Sequence, residues 1–155
     1  MESPYCYFRS SKISNIKVVY EDDNFIIFNK PNGLLTHPTN KSTELTLRDY
    51  LVDEHPSILS WGEENREGIV HRLDRVTSGL IVCALNLESY NLLKDKFKNR
   101  EITKSYVALI EGALPSDSGI LNLPLARSLK NRSKRTVDTN GRNSSTKYEL
   151  LNFYE

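Results

Sequence analysis

The stretch HRLDRVTSGLIV, from His71 to Val82, is where this sequence could do chemistry. Asp74 stands between Arg72 and Arg75, with Thr77, Ser78 and Gly79 after it and an apolar run behind them. A carboxylate in a loop that leads straight into a buried strand is held at the rim of a sheet. Gly79 permits close backbone approach, while Thr77 and Ser78 satisfy backbone groups of the turn or orient Asp74. With an unperturbed pKa of about 3.9, an aspartate is ionised at neutral pH. It is then poorly suited to donate protons but competent as a nucleophile or as a stabiliser of positive charge. The plainer reading of the same residues is a turn cap, or a surface ion pair with Arg72 or Arg75.

A second residue of interest is Tyr106 in TKSYVALIEG, where Tyr106, Ala108 and Ile110 alternate as in a strand. Its ring either fills a core or offers a stacking surface. His37, His55 and His71 show no ligand spacing with one another or with Cys6 and Cys83, so no metal site is expected. Both cysteines read as free thiols in a reducing compartment such as the cytoplasm, Cys83 as a small hydrophobe inside an apolar run. Charge is unevenly placed. Between Arg127 and Lys147 there are seven cations against the single acid Asp138, an excess of +6 in a chain whose net charge is +1, leaving −5 elsewhere. Such an excess attracts a polyanion over about one Debye length, roughly 8 Å in physiological salt; its bland counterpart is a solvated loop.

The elements that must position these residues follow from pattern. At 155 residues, 38% hydrophobic and 26% charged, the chain has the profile of one globular domain with one core. The stretch MESPYCYFRSSK lacks the apolar run that a signal peptide needs, and no run approaches the roughly 18 apolar residues of a membrane span, so no secretory route is expected. KVVYEDDNFIIFNKP predicts a hairpin turning at Glu21 to Asn24, and Pro31, Asn32, Gly33 and Pro38 then break regular structure through Lys41. Leu47, Tyr50, Leu51 and Glu54 predict a short helix, capped by Thr43 or Thr46 and ending near His55. Residues 57–67 have no period and read as a mobile surface connection whose acids fray without cost. LIVCAL after Gly79 predicts a buried strand, and Asn86 caps a helix through Arg100 that packs on Tyr90, Leu93 and Phe97. TKSYVALIEG, Gly119 to Leu125 and KYELLNFY predict further strands. The expected class is α+β, a mixed and largely antiparallel sheet with packed helices.

The string around Asp74 resembles the signature of the RluA family of pseudouridine synthases: His-Arg-Leu-Asp, two variable positions, then Thr-Ser-Gly-Leu. The match spans His71, Arg72, Leu73, Asp74, Thr77, Ser78, Gly79 and Leu80, and His71 favours the RluA branch over a related one with Gly there. EDDNFIIFNKPNGLLTHP, Glu21 to Pro38, looks like the family's first motif, and KSYVALIEG, Lys104 to Gly112, like its third. The resemblance implies a pseudouridine synthase fold and an isomerase acting on ribosomal or transfer RNA. It implies Asp74 as the catalytic aspartate and Tyr106 as the active-site tyrosine, able to stack on an extruded uracil. It also implies substrate-side roles for Arg72, as the residue that replaces a flipped base, and for His71 and Thr77; His71 by itself reads more readily as a satisfied hydrogen-bonding residue. Lys30 and Pro31 fall in the first motif and shape the loop. No cofactor or metal is implied, since the reaction rearranges atoms without net redox change. The partner is RNA, with no membrane, and the chain is expected to act as a monomer.

The resemblance stops early. Family members continue into a motif like Gly-Arg-x-His-Gln-Ile-Arg, whose arginine pairs with the catalytic aspartate, and this sequence ends at Glu155 without it. The expectation is an extension at 1–16 followed by a catalytic domain at 17–155 that lacks its C-terminal part. The alternative is a non-catalytic RNA-binding module that keeps the fold and the basic segment. A glycosidase is a weaker third reading, because the second carboxylate such enzymes use has no assignable position.

Overall fold

KVVYEDDNFIIFNK folds as the hairpin its two branched and aromatic runs predict, in a computed structural model that describes residues 16–39, 43–131 and 134–154. Strand β1, Lys17–Glu21, and strand β2, Phe25–Lys30, pair antiparallel with a bulge between Val18 and Tyr20. Asp22 closes the turn, its Oδ1 accepting from the backbone N–H of Asn24 at 2.8 Å and of Phe25 at 2.7 Å. Along β2 the period of two turns Ile26, Phe28 and Lys30 inward, all of them buried. A lysine thus occupies a position where the alternation asks for a hydrophobe.

Helix α1, Leu47–Glu54, begins at Thr46 in a reciprocal cap. The Asp49 N–H donates to the Thr46 hydroxyl at 3.4 Å, and the Thr46 N–H donates to the Asp49 carboxylate at 2.9 Å. Leu47 and Leu51 seat the helix in the core. Strand β3, Gly79–Ala84, pairs antiparallel with β2 from Gly79 opposite Lys30 to Ala84 opposite Phe25. Helix α2, Leu87–Lys98, starts at Asn86, whose side chain accepts from the Ser89 N–H at 2.9 Å, and it buries Tyr90 and Leu93 as expected.

The connection at 57–67 lies largely at the surface as expected, but it is not free to fray throughout. Pro56–Ser60 forms a 3-10 turn that buries Ile58, and Glu67 is buried against Arg48. Their two charge-assisted hydrogen bonds, Nε to Oε2 and Nη2 to Oε1, are both 2.6 Å. A carboxylate is buried only when such a partner satisfies it, and here the partner lies 19 residues away on α1.

The described chain divides into two compact units, residues 1–105 and 106–155. In the second, strand β4, Ser118–Arg127, is flanked by β5, Arg135–Val137, and β6, Arg142–Glu149, in the order β5-β4-β6. Three details correct the sequence reading. The strands form two three-stranded sheets rather than one, every pairing between them antiparallel, and parallel pairing among the described residues is confined to the isolated bridge Leu35–Thr46. The final strand lies at Arg142–Glu149 instead of continuing to Tyr154; its register against β4 recruits polar residues, and the basic segment is partly strand rather than loop. Finally, residues 103–110 form no strand. Alternating side chains make a strand only where a neighbouring backbone pairs, and none of the described strands does so here. The α+β class itself holds. Cys6, Arg132 and the extension through residue 15 lie outside the described residues. Among the described residues no helix is long and apolar enough to cross a membrane.

Candidate active site

Asp74 owes its position to two loops that meet. Leu73 is buried in the core and anchors the chain, while the next side chain, Asp74, is 81% exposed. Gly79 ends the loop with φ +128°, a backbone conformation in which L side chains are strained. A Cβ there would meet only a Leu73 methyl at 4.0 Å, so φ rather than close approach is what requires glycine.

Between these anchors the four successive carbonyls of residues 73–76 are held. The Thr36 hydroxyl donates to the Leu73 carbonyl at 2.9 Å, and the Thr77 N–H donates to the Asp74 carbonyl at 3.0 Å. The Gly33 N–H at 2.8 Å and Lys30 Nζ at 3.3 Å both donate to the Arg75 carbonyl. Asn32 Nδ2 donates to the Val76 carbonyl at 2.7 Å. Arg75 returns the contact, donating from Nε to the Gly33 carbonyl at 3.1 Å, while its guanidinium end pairs with Glu44 at 2.8 Å. The aspartate therefore stands on a loop fixed residue by residue, with its carboxylate turned to solvent. That is a preorganised anionic group, suited to act on a substrate that comes to it.

Lys30 underlies the arrangement. Its ammonium also donates to the carbonyls of Leu34 at 2.8 Å and Pro31 at 3.1 Å, so three carbonyls surround it. Burial pulls its pKa down, and the charge of nearby Asp74 pushes it back up. The lysine shapes the loop, as its place in the first motif suggests, and in doing so sets a positive charge near the carboxylate. The contributions of Asn32, Gly33 and Thr36 are absent from the sequence reading. Thr36 reaches Leu73 across 37 residues, and no local pattern encodes that.

The other sequence candidates are placed as follows. Arg72 is exposed, its Nη2 3.8 Å from Asp74 Oδ1, a loose surface pair of small energetic weight. Thr77 is half-buried and serves the Asp74 turn through its N–H. His71 accepts the Val82 N–H on Nε2 at 3.1 Å and stacks on Phe97, ring centroids 4.5 Å apart. Tyr106 opens the second unit and is 63% exposed, in a segment without regular structure. Among the described residues no three His, Cys, Asp or Glu side chains are grouped to hold a metal.

Burial, with Lys104 nearby, lowers the His71 pKa to about 4 from an ordinary value near 6.5. The folded state therefore binds fewer protons than the unfolded state between those values. The stabilisation is complete above about pH 6.5 and is lost as pH falls towards 4. His71→Gln keeps an acceptor but cannot titrate. Urea unfolding across pH 7 to 4 should show the variant losing about one proton's worth less stability per pH unit than the parent; parallel curves would mean His71 is not held neutral.

The RNA pseudouridylate synthase family is matched over residues 24–155. Similar proteins include two named ribosomal large subunit pseudouridine synthase D. The one from Borreliella burgdorferi is 38% identical over 90% of this chain and 44% of its own length, and that from Buchnera aphidicola is 38% identical over 90% and 43%. In fold the chain is similar to human RNA pseudouridylate synthase domain containing 4, with TM-score 0.64 and 22% identity over 86% of this chain and 53% of that one. The chain thus spans less than half the length of the curated relatives it matches.

Proposed function

Since this chain belongs to the RNA pseudouridylate synthase family, we propose that it carries the aspartate-bearing part of an isomerase that converts uridine to pseudouridine in RNA. The observation that carries this reading is the exposed Asp74 carboxylate on a loop whose four successive carbonyls, Leu73 to Val76, are all held. In the reaction the bond between uracil N1 and ribose C1′ breaks, the base turns, and C5 bonds to C1′; the C5 proton leaves to water and N1 takes one up, so atoms and charge balance. Cleavage builds oxocarbenium character at C1′, which a fixed carboxylate stabilises by attack or by charge. Nothing is oxidised or reduced. Arg72, exposed beside Asp74, is the residue we assign to the space left by the extruded base. Thr77 keeps the Asp74 turn, and His71, its Nε2 occupied, ties the loop to β3. Tyr106 is assigned to stacking on the uracil. The names of the matched relatives support ribosomal RNA as the substrate.

The test uses RNA tritiated at uridine C5. Release of tritium to water on incubation with this chain is the expected result. Stable RNA binding with no release would instead make it a binding module.

A further inference from the structure

The strongest excess of charge lies away from Asp74 in sequence, and the register of the second sheet decides where its side chains go. Arg127 on β4 is paired with Arg135 on β5, and Leu125 on β4 is paired with both Val137 on β5 and Arg142 on β6. Directly paired residues of an antiparallel sheet share a face, and so do residues two apart along a strand. Arg127, Arg135 and Arg142 therefore stand on one face, at the end of the sheet where β4 meets both neighbours. All three are exposed.

Two arginines directly opposite each other repel, and sheets ordinarily avoid the arrangement. No ion pair relieves them among the described residues. The one acid of the segment, Asp138, is turned into its own bend: its carboxylate accepts the Asn140 N–H at 2.8 Å and its carbonyl accepts the Gly141 N–H, also at 2.8 Å. Lys130 and Lys134, from the connection between β4 and β5, add to the same end. Arginines that share one face of the sheet, with no ion-pair partner among the described residues, are complementary to closely spaced phosphates, to which each guanidinium can donate two hydrogen bonds.

We propose that the face bearing Arg127, Arg135 and Arg142 docks the phosphate backbone of the RNA, positioning it without reading sequence. This rests on the reading of the chain as an RNA enzyme and adds a surface to it. The cross-strand arginine pair is a standing destabilisation of the free protein that bound RNA relieves.

The test compares the parent with the double variant Arg127→Gln, Arg135→Gln and with a charge-matched control, Lys17→Gln, Lys98→Gln, placed in the first unit. The probe is a short single-stranded oligouridine, titrated across a range of salt. Each phosphate contact contributes about 0.7 to the slope of log affinity against log salt for a single strand, so the arginine variant should lose about 1.4 from that slope and the control little. Its melting temperature in low salt should equal or exceed that of the parent, since the repulsion is gone. An unchanged slope, or an equal loss in the control, overturns the proposal, as does a melting temperature clearly below the parent's. So does arginine-dependent binding to anionic lipid vesicles without arginine-dependent binding to RNA. The two readings separate cleanly: tritium release with an unchanged slope sinks this surface alone, and the expected slope change with no release sinks the proposed isomerisation alone.

Discussion

Asp74→Asn is expected to abolish tritium release from uridine C5 while leaving RNA affinity within about twofold. Asparagine is nearly isosteric, and all the contacts that position residue 74 are made by backbone atoms or by its neighbours: Thr36 on Leu73, Thr77 on its own carbonyl, Gly33 and Lys30 on Arg75, Asn32 on Val76. The substitution therefore removes charge without moving the loop. An amide can neither attack C1′ nor balance the positive charge that develops there. Removing a group that acts only in the transition state lowers kcat and kcat/KM together. Losses of four decades, about 5.4 kcal/mol, are the scale for such a residue. Binding should survive because the carboxylate, being anionic, contributes nothing favourable to phosphate contacts. Two results would remove Asp74 from the chemistry. One is release within tenfold of the parent; the other is loss of RNA binding and release together.

How much of this could be read from residues alone differs sharply between elements. The caps were legible because they are local: Thr46 and Asn86 each satisfy an N–H three residues ahead, a distance a sequence motif spans. So was β3 as a strand, although its continuous branched run predicts cover on both sides and Leu80 is 60% exposed. Glu67 was not, since its burial depends on Arg48, an arginine that looks like any other on an amphipathic helix. The segment 103–110 misled in the opposite sense. Its alternation at Tyr106, Ala108 and Ile110 is a genuine strand pattern, yet pattern describes side chains and a strand needs a partner backbone. At β6 the error ran the other way. Arg142 to Thr146 are too polar to suggest a strand, but eight residues pair with β4 regardless of their side chains.

The candidate site shows the same division. Asp74 and its signature are contiguous and could be recognised whole. The loop that holds it comes from residues 30–36, some forty positions earlier, and only the family's first motif hinted that this stretch matters. What distance in sequence hides is the donor set: a hydroxyl on the Leu73 carbonyl, an amide on that of Val76, and a backbone N–H and an ammonium that share that of Arg75.

Lys30 gives the sharpest means of asking whether that loop must be rigid. Lys30→Met preserves the length and the apolar stem of the side chain, so β2 keeps its packing beside Phe28. What disappears is the donor shared among three carbonyls. The Arg75 carbonyl still receives the Gly33 N–H, but no other donor to the carbonyls of Pro31 and Leu34 is found among the described residues. An acceptor left unpaired costs about 1–3 kcal/mol when buried; Leu34 is half-buried and Pro31 exposed, so water satisfies part of the loss, and removing a desolvated ammonium returns more of it. A net loss of about 1–2 kcal/mol is expected by urea unfolding. The larger effect falls on catalysis: with the positive charge near Asp74 gone and one side of its loop unpinned, tritium release at saturating RNA should fall at least tenfold even well below the unfolding midpoint. Lys30→Arg separates the two contributions. It restores charge but carries a planar, wider head into a site fitted to a compact ammonium, so it should recover less stability than activity. If Lys30→Met unfolds more readily yet releases tritium at the parental rate, the lysine serves the fold alone and the rigidity of the 73–76 loop is not what makes Asp74 reactive.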